Sequence, residues 1–377
     1  MRGQQTMENK GQKTSKMNEY LELLEQNLGT RVAQRNFIEV GNPSRPDGIK
    51  SFLVKKNGAS YLFRTPGRRC SESARNRVDR LHEALMTVNR MVDGSALSST
   101  IPKIAVYSNG SNPPVLVESA IPGKPAAEWV QFGRVYLRRR IKRVLVGAVD
   151  WLIGFQQATN KERIPLARIF SWMEIGRDVE KYLDLCGEDL DPLALESLKN
   201  LRATLCTEEQ ITVPCCPRHG EFKLENIIIS SGRISGVIDW EEFRSRSHPF
   251  SDFWHLLVHA AGMEIADRGH LVRGITANLL GLGWMNFFME ELTARFSRHL
   301  GVSKQVTRAF LPLHLIHLYL GNADGLSADL RLGGVLNRLL EAILTFEYSR
   351  GSYLNLERAA ASVPNGQEHA RPLNPSI

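Results

Sequence analysis

No uninterrupted apolar run reaches the roughly 18–20 residues that a membrane-spanning helix needs. The longest candidates, such as Leu279–Met289, have the length of a buried helix, and no membrane partner is expected. Cysteine is scarce, with five in 377 residues, an odd number without zinc-type spacing. That argues against a disulfide framework and for free thiols in a reducing, cytoplasmic setting. Cys215-Cys216 reads as a pair of small buried residues. The opening stretch, MRGQQTMENKGQKTSKMN, lacks the apolar centre of a secretory signal. His314 and His317 share a helix face, yet no carboxylate stands at zincin spacing, so these and His255 and His259 read as core or pocket residues. Internal repeats are absent. Acidic residues are outnumbered, 40 against 48 Lys and Arg, for a net charge of +8. The densest basic run, Arg134–Arg143 (RVYLRRRIKR), holds one aromatic, Tyr136, and no nucleic-acid motif accompanies it. No nucleic-acid partner is expected. The run reads instead as the solvated face of a helix over about Gly133–Thr159, whose apolar face is Val144, Leu145, Ala148, Leu152 and Phe155. Surplus positive charge still concentrates anionic ligands.

What is there is concentrated in residues 217–241, PRHGEFKLENIIISSGRISGVIDWE. Moving a phosphoryl group takes a carboxylate beside the acceptor hydroxyl, a cation near the transferred phosphate and oxygen ligands for Mg²⁺. His219, Glu221, Lys223 and Asn226 fall in one short loop, and Asp239 follows a second apolar strand. Ile227–Ile229 and Ile234–Ile238 predict a hairpin turning at Ser231-Gly232. Such a hairpin brings Asn226 and Asp239 to the same end, close enough to share metal ions.

This segment resembles the aminoglycoside phosphotransferase/choline kinase family, a branch of the protein-kinase-like fold. The family pattern is His-Gly-Asp, four residues, Asn, then a strand pair and Ile-Asp-Trp-Glu. The chain carries His219-Gly220-Glu221, four residues, Asn226, and then Ile238-Asp239-Trp240-Glu241, with Pro249 and Asp252 at the places of the family's later Pro and Asp. One position departs: Glu221 stands where the family has its catalytic Asp. Lys223 and Glu225 also make the loop similar to that of protein kinases.

The resemblance implies an α+β, bilobal protein-kinase-like fold, with a small antiparallel-sheet N-lobe and a large helical C-lobe. The implied organisation is a disordered tail over 1–16, the N-lobe over 17–121, the C-lobe over 122–357 and a second disordered tail over 358–377. The residues agree with this order. A short amphipathic helix over 17–29 precedes strands at Phe37–Val40, Ser51–Lys56 and Ser60–Arg64, the last two joined by Asn57-Gly58, a strong hairpin signal. The loop Gly41–Gly48 lies where a phosphate-covering loop belongs, with Gly48 allowing close backbone approach. Arg64 takes the family's place for a cation on the α/β-phosphates and offers them a bidentate fork. A helix at about Ser73–Met91 supplies Glu83 as the carboxylate expected to hold Arg64, with Asp79 and Glu72 as alternatives. Val115–Gly123 is similar to the family's interlobe segment, so backbone groups of Ser119, Ala120 and Ile121 are expected to bond adenine.

Apolar periodicity marks further helices at Phe170–Leu185, Asp191–Leu205, Asp252–Ala266, Leu271–Leu300, Lys304–Leu320 and Leu330–Ser349, with Gly281, Gly283 and Gly301 as breaks or caps. The implied activity is ATP- and Mg²⁺-dependent transfer of the γ-phosphate to a hydroxyl of a small molecule. In that activity Glu221 positions the hydroxyl, Lys223 offsets phosphate charge, Asn226 and Asp239 hold Mg²⁺, and His219 is a part of the loop rather than a proton carrier. Asp252 ties the loop to the following helix. The helices after Asp252 carry no acidic excess, so they suit a neutral or anionic acceptor at least as well as a cationic one. Because Glu221 is one methylene longer than Asp, a nucleotide-binding pseudokinase or a partner-binding adaptor is the alternative.

Overall fold

Alternation of side chains along Lys50–Lys56 (β2) and Ala59–Thr65 (β3) sets up the first part of the molecule. A computed structural model of the chain describes residues 18, 20–27, 31, 33, 37–40, 49–56, 58–66, 71–109, 113–131, 137–160, 162–172, 175–263, 271–281, 284–324 and 330–349. The two expected tails, the loop Gly41–Gly48 with its Gly48, and residues 133–136 lie outside them. β2 and β3 pair antiparallel from Lys50↔Thr65 to Lys56↔Ala59, and Gly58 takes the positive φ of 79° that the turn requires. With Phe37–Val40 (β1), Ile104–Ser108 (β4) and Val115–Ser119 (β5) they form an antiparallel sheet in the order β1-β2-β3-β5-β4.

The period-2 rule sorts this sheet into two faces. Phe37, Phe52, Val54, Phe63, Val115 and Val117 form one buried face with Leu23 and Leu24 of the helical residues 20–27 (α1). Phe37 stacks on Phe52 at 4.5 Å, an aromatic pair worth about 0.5–1.5 kcal/mol beyond its burial. Leu62, Arg64, Leu116 and Glu118 fall on the other face, because Arg64 pairs with Leu116 and Leu62 with Glu118. Glu72–Met91 (α2) contacts β3, β4 and β5. Ser71 caps it by accepting from the Ala74 amide, and Val78, Leu81, Leu85 and Val88 are its buried stripe.

The chain resolves into two compact units, Met1–Lys161 with Cys215–Ala260, and Glu162–Pro214 with Ala261–Ile377. The expected lobe boundary at residue 121 lies inside the first. Beyond β5, that unit continues through Lys124–Pro125 (β6), Ala126–Gln131 (α3) and Leu137–Thr159 (α4). On α4, Val144, Leu145, Ala148, Leu152 and Phe155 are buried, whereas Arg138, Arg139, Lys142 and Arg143 face solvent. The basic run is therefore the wet side of an amphipathic helix over its described residues. The second unit is mostly helical, with a short strand at Glu162–Pro165 (β7) followed by Leu166–Trp172 (α5), Ile175–Cys186 (α6) and Pro192–Thr207 (α7). Asp191 caps α7. Among the described residues no helix is long and apolar enough to cross a membrane.

Candidate active site

Thr212–Arg218 (β8) leads into the loop, Ile227–Ser230 (β9) and Arg233–Val237 (β10) form the hairpin, and Arg244–Ser247 (β11) and Phe250–Met263 (α8) follow it. Cys215 and Cys216 are buried on β8, as expected of small interior residues, and Cys216 lies opposite Ser247 of β11. Three contacts fold the loop. The His219 and Gly220 amides donate to the two carboxylate oxygens of Asp252 at 2.7 and 2.9 Å. Asp252 is buried, and charge-assisted bonds of this kind contribute roughly 1.5–3 kcal/mol each. Gly220 has φ 93°, and a Cβ there would lie 2.4 Å from the Glu242 carbonyl oxygen, so only glycine fits.

His219 is fully buried between these strands. Its Nε2 lies 2.9 Å from the Ile238 carbonyl oxygen, and its Nδ1 accepts from the Glu221 amide at 3.2 Å, which fixes the Nε2–H tautomer. Burial pushes its pKa down, only partly opposed by Asp252 and the Ile238 carbonyl. A buried neutral histidine costs stability once the unfolded chain takes a proton that the folded one refuses. The loss therefore begins as pH falls below about 6.5 and grows until the folded-state pKa is reached. Relative to a His219→Gln variant, the wild type is expected to lose up to about 1.4 kcal/mol per pH unit below that point. Denaturant titrations at pH 7, 6 and 5 check this; parallel curves for the two proteins would remove His219 as the source.

Asn226 is held by its own loop. Its Nδ2 donates to the Glu221 carbonyl and its amide to the Lys223 carbonyl, both at 2.9 Å, which leaves Oδ1 as the oxygen available to a cation. The hairpin pairs Val237 with Ile227, and the Ile238 amide donates to the Asn226 carbonyl at 2.9 Å. Asp239 follows directly, in the left-handed region at φ 70°. That conformation costs an L-residue about 1–2 kcal/mol and is best tolerated by Asp, Asn and Gly. The strained residue carries the carboxylate, which is how backbone strain tends to be distributed around sites. Below the loop Trp240 is fully buried against His219, Trp151 and Phe155 at ring distances of 4.5–6.3 Å, so it is core.

Lys223 Nζ donates to Glu221 Oε2 at 2.9 Å, and both side chains remain partly exposed. Glu225, just before Asn226, pairs with His259 Nε2 at 3.0 Å. Arg64 reaches the same place from β3. Its Nε donates to Glu118 Oε1 at 2.9 Å, and its Nη1 lies 3.6 Å from Asp239 Oδ1. Burial by itself would lower the Arg64 pKa, but Glu118, Asp239 and Glu241 outweigh it and drive the value up, so the cation is permanent. Burial raises the Glu118 carboxyl, with Arg64 opposing.

The expectation that Glu83 holds Arg64 is corrected. Glu83 lies on the exposed side of α2, Glu72 is exposed at its start, and Asp79 accepts from the Tyr107 hydroxyl at 2.8 Å. Glu118 takes the place because antiparallel pairing puts Arg64 and Glu118 on one face, diagonally across adjacent strands. α2 instead contributes a cation. Arg77 Nη2 lies 2.6 Å from Glu241 Oε2, two residues beyond Asp239. Neither pairing, Arg64 with Glu118 or Arg77 with Glu241, leaves a local signal in the sequence.

Val115–Gly123 also offers fewer free backbone groups than expected. The Ser119 amide donates to the Lys103 carbonyl at 2.8 Å and the Ala120 amide to the Ser60 carbonyl at 3.0 Å, so neither is available to a purine edge. The expectation contracts to Ile121 and the carbonyls of the segment. Ser235 of β10 donates to the Pro122 carbonyl at 2.6 Å, and a Cβ on Gly123 would lie 2.4 Å from the Ile229 carbonyl oxygen, which fastens the segment to the hairpin.

Hard oxygen donors from Asn226 and Asp239, with a cation fork beside them, suit Mg²⁺ that is otherwise ligated by phosphates and water. Among the described residues no group of three or more His, Cys, Asp or Glu is arranged to hold a metal alone. The fold is that of solved phosphotransferases. Aminoglycoside phosphotransferase APH(2'')-Ib in its ADP-bound form superposes with a TM-score of 0.50 at 17% identity, over 88% of this chain and 98% of that one. APH(2")-IIa in its gentamicin complex gives 0.50 at 16% identity, over 87% and 97%. Comparison with curated sequences finds no match. The model of the phosphotransferase enzyme family matches residues 50–288, which contain the sheet from β2 on, the loop and the hairpin. The chain belongs to the phosphotransferase enzyme family.

Proposed function

We propose that the chain transfers the γ-phosphate of ATP to a hydroxyl group of a small molecule. The observation that carries this reading is the convergence of Arg64, Glu221, Lys223, Asn226 and Asp239 on the end of one hairpin, in a chain of the phosphotransferase family. Asn226 and Asp239 would hold Mg²⁺, which when bound neutralises charge on the phosphates. Arg64 presents guanidinium N–H groups to the α/β-phosphates. Glu221 accepts the proton of the acceptor hydroxyl as its oxygen bonds to phosphorus and the bond to the leaving ADP breaks, and Lys223 sits beside the charge that develops. His219 and Asp252 set the loop's shape and move no proton. The want of acidic excess after Asp252 suits a neutral or anionic acceptor at least as well as a cationic one.

One observation favours a second reading. Glu221 carries an extra methylene relative to the family's Asp and is paired with Lys223 within its own loop. A displacement of about 1 Å at a reacting group costs on the order of 10²-fold in rate, and a chain so impaired would be retained for nucleotide binding. Calorimetric titration of ATP with and without Mg²⁺ tests what both readings share: binding strengthened by Mg²⁺ is expected. Absence of any nucleotide binding would discard both and leave a partner-binding adaptor.

A further inference from the structure

The Arg64 guanidinium is divided between two tasks. Its Nε edge is turned to Glu118, which is 2% exposed, while an Nη lies toward Asp239 at 3.6 Å. α2 offers nothing in competition, because its inward charge is Arg77, bound to Glu241, and its acids are exposed or engaged with Tyr107. Resting on the assignment of Arg64 to the phosphates, we infer that Glu118 of β5 is the positioning residue for that cation. Holding the Nε edge leaves the terminal nitrogens free to form the fork that planar phosphate recognition needs. It also balances the pull of Asp239. Without the charge on Glu118, the nearest carboxylate to Arg64 is Asp239 itself, and the cation would settle on a metal ligand. Because β5 runs straight into the interlobe segment, this pair ties the phosphate-binding cation to the strand that leads to the nucleotide base site. No movement of α2 is then required to form it.

The test is a double-mutant cycle on ADP affinity, measured without metal by calorimetry on the full chain. Arg64→Ala is expected to weaken ADP roughly ten- to a hundredfold, the worth of charge-assisted bonds. Glu118→Gln keeps the shape and is expected to weaken ADP severalfold. The double variant should bind no more weakly than Arg64→Ala alone, because Glu118 acts only through Arg64. Unchanged affinity in Glu118→Gln, or additive losses in the double variant, overturns the inference while Arg64 keeps its role. Unchanged affinity in Arg64→Ala overturns the assignment of Arg64, and the inference with it. Should Glu118→Gln fail to fold, the wild type supplies a second readout: the Arg64 Nε–H resonance, assigned by its loss in Arg64→Lys. It should be protected from exchange and persist at saturating ADP. Loss of protection on adding ADP would mean that Glu118 lets go, and would overturn the inference.

Discussion

Replacing Asp239 by Asn is expected to abolish measurable transfer, a loss on the order of 10³-fold or more, as for other charges that act on a transferring phosphoryl group. The change is nearly isosteric and leaves the φ of 70°, which Asn also tolerates, undisturbed. What it removes is the charge that faces Arg64 at 3.6 Å and the stronger of two candidate metal ligands. The signature is therefore double. ATP binding should lose its dependence on Mg²⁺, while metal-free ADP binding should hold or tighten, since Arg64 is released from a competing carboxylate. Calorimetry with and without metal reads both. Unchanged Mg²⁺-dependent binding and turnover would remove Asp239 from the metal assignment without touching the fold.

The series at Glu221 has the next largest expected effect. Glu221→Gln keeps the side chain's reach but cannot accept a proton, and its loss should be about 10²–10⁴-fold in kcat, the worth of a general base. ATP affinity should stay nearly constant, because the loop is held by Asp252 and Asn226 through backbone contacts that this change leaves in place. Glu221→Asp is also expected to be slower, since the shorter arm falls away from both Lys223 and the acceptor in a loop built around Glu. The opposite result, activity gained on Glu221→Asp, would identify a damaged kinase. Steady-state rates of ADP formation with an acceptor present distinguish the outcomes.

Most of this arrangement is legible in the residues because it is local. The hairpin at 227–237 follows from two β-branched runs around Ser231-Gly232, both of which adopt positive φ, and it delivers Asn226 and Asp239 to one end as the spacing predicts. The Asp252 anchor agrees with the loop-to-helix spacing. Gly281, expected as a break, ends the helix Leu271–Leu280 before Trp284–Leu300 begins. Three features were not legible. β8 and β11 carry prolines or charges that mask their strand character, and it is pairing with other strands that makes each of them part of a sheet. The partner of Arg64 depends on which strands become neighbours and on the face each residue takes, neither of which is written in β3 or β5 alone. Arg77 and Glu241, 164 residues apart, meet only in the folded chain. Long-range pairing, rather than local propensity, is where the residue pattern falls silent.

Transfer of a phosphoryl group to a hydroxyl at this hairpin end is read by following the phosphorus itself. The wild-type chain would be incubated with Mg²⁺ and ATP labelled at the γ-phosphate, against a panel of neutral and anionic small alcohols. Label should appear on an acceptor as a phosphate ester, with ADP formed in equal amount. Full Mg²⁺-dependent ATP binding with no labelled acceptor across the panel, and labelling only once Glu221 is changed to Asp, would contradict it.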